Sequence, residues 1–407
     1  MARLANEAAG LSGRLRALRR DLHAAAETGL HLPRTQALVT AALADTALEL
    51  TLGRELTSVV GVLRGAGPGP APAVLLRADL DALPVTEETG EPFAAAAGVM
   101  HACGHDLHTA ALVGAAVLLS RHRGELPGDV VFMFQPGEEG YDGAAAMIAE
   151  GVLDAAGPRV AAAYGLHVFS STLPRGVFAT RGGPLMAASA GLFVTVRGVG
   201  GHASRPHAVA DPIVVAAEMV VALQTIVTRQ FDVFDPVVVT VGLFAGGTRR
   251  NVIPETATFE ATVRAFSEAS MARLQERCAR LCTQIAAAHG LTADATFTGE
   301  YPVTVNDAEH ADFALDLAAA EFGPDRAVRL PDPIMGSEDF SRVLAEVPGA
   351  FVFLGAVAGT DPATAPTNHS PQARFDDSVL PDAARLLAEL AWQRLERLSS
   401  SDCAPPS

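Results

Sequence analysis

Apolar residues recur at helical spacing over residues 11–25, 34–44 and 107–122, and gather into short unbroken runs over 73–78, 130–135 and 160–168. The first pattern predicts amphipathic helices. The second predicts strands buried on both faces, because a strand with one wet face would alternate apolar and polar positions. Helix and strand patterns alternate over the first 180 residues, which predicts an α/β domain whose sheet is flanked by helices and whose ligands gather at strand ends. The rhythm changes between about residues 186 and 299. A strand over 191–197 leads to a helix over 211–229 opened by Asp211-Pro212, then to strands over 237–243 and 256–264, a helix over 268–289 and a strand over 293–298. This β-α-β-β-α-β order predicts a ferredoxin-like domain inserted into the first. The expected division is 1–185 with 300–407 as one discontinuous domain and 186–299 as the insert, hinged at Gly182-Gly183-Pro184 and Tyr301-Pro302. The polar tail from Ser399 is expected to be disordered.

A length of 407 residues agrees with two domains, since single cores stop growing well below it. The net charge of -16 works against binding polyanions, so nucleic acid and anionic membrane are excluded as partners. The apolar runs 109–119 and 212–223 are too short for a membrane span, and the second helix carries Glu218. Arg14, Arg16, Arg19 and Arg20 lead into an Ala-rich helical pattern, with no signal core, so a cytoplasmic location is expected. Four cysteines make no disulfide framework, and Cys278 and Cys282, one helical turn apart, are read as small apolar filler.

The chemistry concentrates in His101-Ala102-Cys103-Gly104-His105-Asp106, just before an apolar helix. In extended chain, residues two apart share a side, so Cys103 and His105 are expected to face one point, with His101 as a competitor. The run 130–135 delivers the adjacent pair Glu138 and Glu139, and His167 ends another apolar run. Thiolate, imidazole and carboxylate at several strand ends outline a transition-metal site. His108, one turn into the helix, is expected to make a supporting hydrogen bond. His23, His31, His122, His289 and His310 are expected on surfaces or helices.

These motifs extend to Arg77-Ala78-Asp79-Leu80-Asp81-Ala82-Leu83-Pro84, Gln135-Pro136-Gly137-Glu138-Glu139-Gly140, Gly165-Leu166-His167 and Gly201-His202-Ala203-Ser204-Arg205-Pro206-His207. Asn251-Val252-Ile253-Pro254, Arg264-Ala265-Phe266, Met335-Gly336-Ser337-Glu338-Asp339-Phe340 and Asn368-His369-Ser370-Pro371 complete the set. Together they resemble the M20 metallopeptidase family, in its amidohydrolase branch of hippurate hydrolases, N-acyl-amino-acid deacylases and auxin-conjugate hydrolases, over about residues 15–395. The resemblance implies a two-metal catalytic domain with an inserted lid that also pairs subunits into a homodimer. It makes Cys103, His105, Glu139, His167 and His369 the ligands of two divalent ions (zinc, manganese, cobalt or nickel), with Cys103 where peptidase branches carry a bridging Asp. It makes Glu138 the general base, and Asp81 an orienting residue with Asp79 as a helper; both aspartates have the alternative of accepting loop amides. Extended chain at Glu138-Glu139 is expected to let Glu139 ligate while Glu138 faces the water.

On the insert, the resemblance assigns His202 to the oxyanion, and Asn251 and Arg264 to the substrate's carboxylate. Two departures stand out. Arg249-Arg250 occupy positions where relatives carry smaller residues, and His23-Ala24-Ala25-Ala26-Glu27 lacks the usual Pro before Glu27. The implied activity is hydrolysis of the amide of an N-acyl or N-aroyl amino acid, with a dipeptidase of the same fold as the alternative.

Overall fold

The computed structural model describes residues 4–67, 71–359 and 361–401. It divides into two compact units, Met1–Leu185 with Val305–Asp332 and Asp339–Ser407, and Met186–Thr304 with Pro333–Glu338. The short piece Pro333–Glu338 belongs with a unit far from it in sequence. Ala187 N–H donates to the carbonyls of Ile334 and Gly336 at 3.2 and 2.9 Å, a pairing no local pattern announces.

The first unit is built on an eight-stranded mixed sheet. Its order runs Glu49–Leu52, Val59–Leu63, Asp129–Gln135, Ala73–Asp79, Ala162–Phe169, Gly349–Gly355, Phe178–Thr180, Ala327–Arg329. Every residue of Ala73–Asp79, Asp129–Gln135 and Gly349–Gly355 is buried, as unbroken apolar runs require when helices cover both faces. Asp129–Gln135 and Ala162–Phe169 both lie parallel to Ala73–Asp79, and Gly349–Gly355 lies parallel to Ala162–Phe169. The carboxyl ends of these four strands therefore open on one edge of the sheet, where their following loops converge. The helix Leu380–Ser401 continues through Ser399, so the expected disordered tail starts inside a helix; its remainder lies outside the described residues.

The second unit is a four-stranded antiparallel sheet in the order Val237–Gly246, Thr256–Ala265, Ala188–Arg197, Thr292–Tyr301, the ferredoxin-like arrangement. The helices Pro212–Gln230 and Glu268–Ala288 pack with it, burying Val215, Met219, Leu223 and Ile226 from one and Leu274, Cys278 and Cys282 from the other. Both cysteines are thus apolar filler. Gly183 and Tyr301, expected in open hinges, instead belong to the strands Gly183–Met186 and Thr292–Tyr301. The helix Pro212–Gln230 also corrects the membrane reading. Its 19 residues are long and apolar enough to cross a membrane by length and composition alone, with Glu218 not enough to break the run. Its buried stripe is what a core helix needs, and Glu218 bonds His289 at 2.7 Å.

His23 and His310 are helical as expected but buried, not at the surface. His23 is held between Asp106, 2.7 Å from Nδ1, and Glu87, 3.0 Å from Nε2, with Arg19 2.8 Å from the same Asp106 oxygen. Burial opposes a charge on His23, yet the Asp106 and Glu87 carboxylates raise its pKa to about 9. A raised folded pKa contributes stability that is fully present below about 6.5, the unfolded value, and is lost as pH climbs through about 9. His23→Gln is expected to cost on the order of 3 kcal/mol at pH 6. The gap in melting temperature between wild type and variant should shrink by pH 10, and an unchanged gap would contradict a charged His23.

Candidate metal centre

Four loops meet at the open edge of the large sheet. The chain turns at Ala102-Cys103, passes Gly104 at φ 84° and starts a helix at His105. A Cβ at Gly104 would come 2.5 Å from Val168 Cγ2, so the position needs glycine twice over, for its backbone and for its lack of a side chain. This geometry corrects the extended-chain argument. Cys103 and His105 converge because a left-handed turn swings the chain into a helix, and His101 does not follow them. Its ring is buried with both nitrogens unpartnered, and it enters none of the clusters of possible metal ligands among the described residues.

The second loop, after Asp129–Gln135, also turns instead of running extended, with Gly137 at φ 74°. Asp81 shapes it, its two carboxylate oxygens accepting the N–H groups of Glu138 and Glu139 at 3.0 Å each. Both glutamates consequently face one way. Their carboxylates and a ring nitrogen of His105 lie within 4.8 Å of one another, so the expected divergence of the two side chains does not occur. Asp81 also accepts the Nδ1–H of His105 at its carbonyl, 2.9 Å away, which leaves the Nε2 lone pair of His105 for a ligand. The loop-amide role and the orienting role are therefore one arrangement.

Cys103 stands at the junction of two clusters, Cys103-His105-His167 and Cys103-Glu139-His369. Its Sγ is 3.4 Å from His167 Nε2 and 3.3 Å from His369 Nε2, and His369 Nε2 is 3.3 Å from Glu139 Oε1. Donors on one tetrahedral ion at about 2.0–2.3 Å stand about 3.3–3.7 Å apart, so these spacings fit an ion shared within each cluster. His105 Nε2, buried with no hydrogen-bond partner, supports the same reading. Burial, with His108 close by, holds His167 well below the usual histidine range, neutral and able to ligate. His369 has a non-glycine residue's φ of 71°, and hydrogen bonding to Cys103 and Glu139 raises its pKa to about 10.

Asp79 is not arranged to ligate. Burial would raise its pKa, but His105, His108 and Arg77 hold it well below the carboxylate range. Its oxygens are already taken by Arg77 at 2.7 Å and by His108 at 2.6 Å. Arg77 reaches on to Gln135 and Asp339 at 2.9 Å each, and Asp339 also accepts from Ala144 N–H and Gln135. Asn368 donates to the carbonyls of Cys103 and Val168 and accepts from Ser170 N–H. Sequence reasoning assigned no role to Arg77, Gln135, Asp339 or Asn368. The only signal was that each stands inside or beside a motif.

In the second unit the short strands Gly201–His202 and Val252–Ile253 pair, setting Val252 opposite His202 beside Asn251. Nδ1 of the exposed His202 accepts from Ser204 N–H at 3.2 Å, so Nε2 carries the proton and can donate it outward. Arg264 lies opposite Ser189 on the sheet, 3.6 Å from Glu300, and no hydrogen bond or ion pair joins it to Asn251 or His202 among the described residues. Arg249 and Arg250 are exposed.

A family model described as peptidase family M20/M25/M40 matches residues 75–393. An IAA-amino acid hydrolase ILR1-like 4 of Arabidopsis thaliana is 39% identical over 390 residues, covering 94% of this chain and 86% of the relative. Thermostable carboxypeptidase 1 of Saccharolobus solfataricus is 37% identical, covering 92% of this chain and 93% of its own. The crystal structure of a Bacillus subtilis dinuclear metal binding peptidase from the M20 family is 32% identical with a TM-score of 0.80, covering 95% of this chain and 99% of that one. With a metal-ligand cluster at the strand ends and relatives that match almost end to end, the chain belongs to the M20 family and, within it, to the amidohydrolase branch of metal-dependent hydrolases.

Proposed function

We propose that the protein hydrolyses the amide of N-acyl or N-aroyl amino acids, releasing a carboxylic acid and the free amino acid. The observation that carries this reading is the Cys103 thiol shared by two ligand clusters, with the buried carboxylate of Glu138 beside them and outside both. Cys103, His105 and His167 would hold one ion and Cys103, Glu139 and His369 the other. A thiolate favours zinc or another late first-row ion over magnesium or calcium. When bound there, the ions would supply Lewis acidity toward a carbonyl oxygen and a water. Glu138 takes the proton of the attacking water and returns it to the leaving amine. Asp81 keeps that carboxylate and Glu139 in place. His202 donates from Nε2 to the oxyanion, and Asn251 and Arg264 receive the substrate's carboxylate, for which a guanidinium fork is suited. The name of the Arabidopsis relative supports an acyl-amino-acid substrate, and that of the Saccharolobus relative supports the dipeptidase alternative.

We also propose that the second unit pairs two copies of the chain. Support comes from its edge strand Val237–Gly246, with Leu243 48% and Phe244 43% exposed, and from the outward Val214 and Val221 of Pro212–Gln230. The test is to assay wild type and His202→Ala on N-acyl amino acids and matched dipeptides. The acyl compounds should be the better substrates, and the variant should lose on the order of 10²–10³ in turnover with its metal retained. A preference for dipeptides would replace this reading with the alternative.

A further inference from the structure

His108 is buried between Asp79 and Val168, with both nitrogens of its ring engaged. Its Nε2 accepts the N–H of Val168 at 2.8 Å, so that nitrogen carries no proton. Its Nδ1 therefore carries one and donates it to Asp79 Oδ1, 2.6 Å away. With both nitrogens engaged, the cluster of Asp79, His105 and His108 has no imidazole lone pair from His108 left for an ion. The contact to Val168 matters because the same residue holds His167. The Val168 carbonyl accepts the Nδ1–H of His167 at 2.9 Å and an N–H of Asn368 at 3.0 Å. A single residue is thus clamped through its N–H by His108 and through its C=O by the ring of a candidate ligand.

We propose that His108 is a positioning residue that sets His167 for the ion of the Cys103-His105-His167 cluster, acting through the Val168 peptide. The other cluster meets this clamp only indirectly, through Asn368, which donates to the Val168 carbonyl and precedes His369. His369 is fastened separately, by its N–H to the Ala102 carbonyl at 2.9 Å, and its ring is 55% exposed. The two ion positions are therefore unequal in how they are supported, and loss of His108 acts on one of them. This inference rests on the proposed two-ion site, and the wild-type stoichiometry tests that site separately.

The experiment compares His108→Ala, His108→Asn and His108→Gln as metal-loaded proteins under chelator competition. The amide of Gln reaches the place of Nε2 and can still accept from Val168. The amide of Asn reaches the place of Nδ1 and can only keep the bond to Asp79. Wild type should hold about two ions, and Ala and Asn should hold one of them at least 10-fold more weakly, the usual lower bound for losing a ligand's supporting bond. Gln should recover most of that affinity, and the thiolate-to-metal absorption of the cobalt-loaded protein should follow the same order. Recovery by Asn instead of Gln would mean that the effect runs through Asp79, and retention of both ions by all three variants would mean that His108 only fills space; either overturns the proposal. Should the variants not fold, nitrogen-15 NMR of the wild-type metal-loaded protein decides it. A proton on Nδ1 of His108 is required, and one on Nε2 overturns the clamp.

Discussion

Replacing His105 or Glu139 by Ala is expected to abolish hydrolysis and to remove ions from a chain that otherwise holds about two. Each side chain contributes a buried atom to the cluster: His105 Nε2 has no hydrogen-bond partner, and Glu139 Oε1 has only a 3.3 Å contact with His369 Nε2, so an ion would offset the cost of burying both. Asp79 is no substitute for His105. Asp79 Oδ2, 3.6 Å from His105 Nε2, is already held by Arg77, and the second ring nitrogen of His105 is tied to the Asp81 carbonyl. Elemental analysis after dialysis, beside an activity assay, measures both effects. Full activity in a chelated, metal-free protein would sink the assignment of the whole cluster.

Glu138→Gln is expected to keep the metal and yet lower turnover by about 10²–10⁴, the usual contribution of a positioned general base. The amide preserves the side chain's size and leaves the backbone N–H bonded to Asp81, so the loop that carries Glu139 keeps its shape. Only the ability to take a proton is lost. Because both glutamate carboxylates sit within 4.8 Å of the His105 ligand atom, the two could in principle exchange roles, and the metal content separates the cases. A Glu138→Gln protein that loses an ion while Glu139→Gln keeps both would reverse the assignment.

The division between sequence and tertiary structure follows the range of the physics involved. Hydrophobic periodicity is local, so the chain by itself determined the buried strands Ala73–Asp79 and Asp129–Gln135, the helices that follow them and the β-α-β-β-α-β insert. Short or edge strands such as Glu49–Leu52, Phe178–Thr180 and Ala327–Arg329 carry too few residues for a period, and only their neighbours in the sheet make them strands. Which residue types could ligate was equally legible, because thiolate, imidazole and carboxylate in motif spacing declare their chemistry. Their directions were not. Extended-chain alternation placed His101 with Cys103 and His105 and separated Glu138 from Glu139, whereas turns at Gly104 and Gly137 reversed both outcomes. Those turns are held by partners distant in sequence, Val168 against Gly104 and Asp81 under Glu138 and Glu139. The tautomers of His105 and His108 were decided the same way, each by a hydrogen bond to a residue distant in sequence, whereas that of His167 is set by the carbonyl of its own neighbour Val168. A side chain's identity belongs to the chain, but its direction and its proton belong to whatever the fold brings against it.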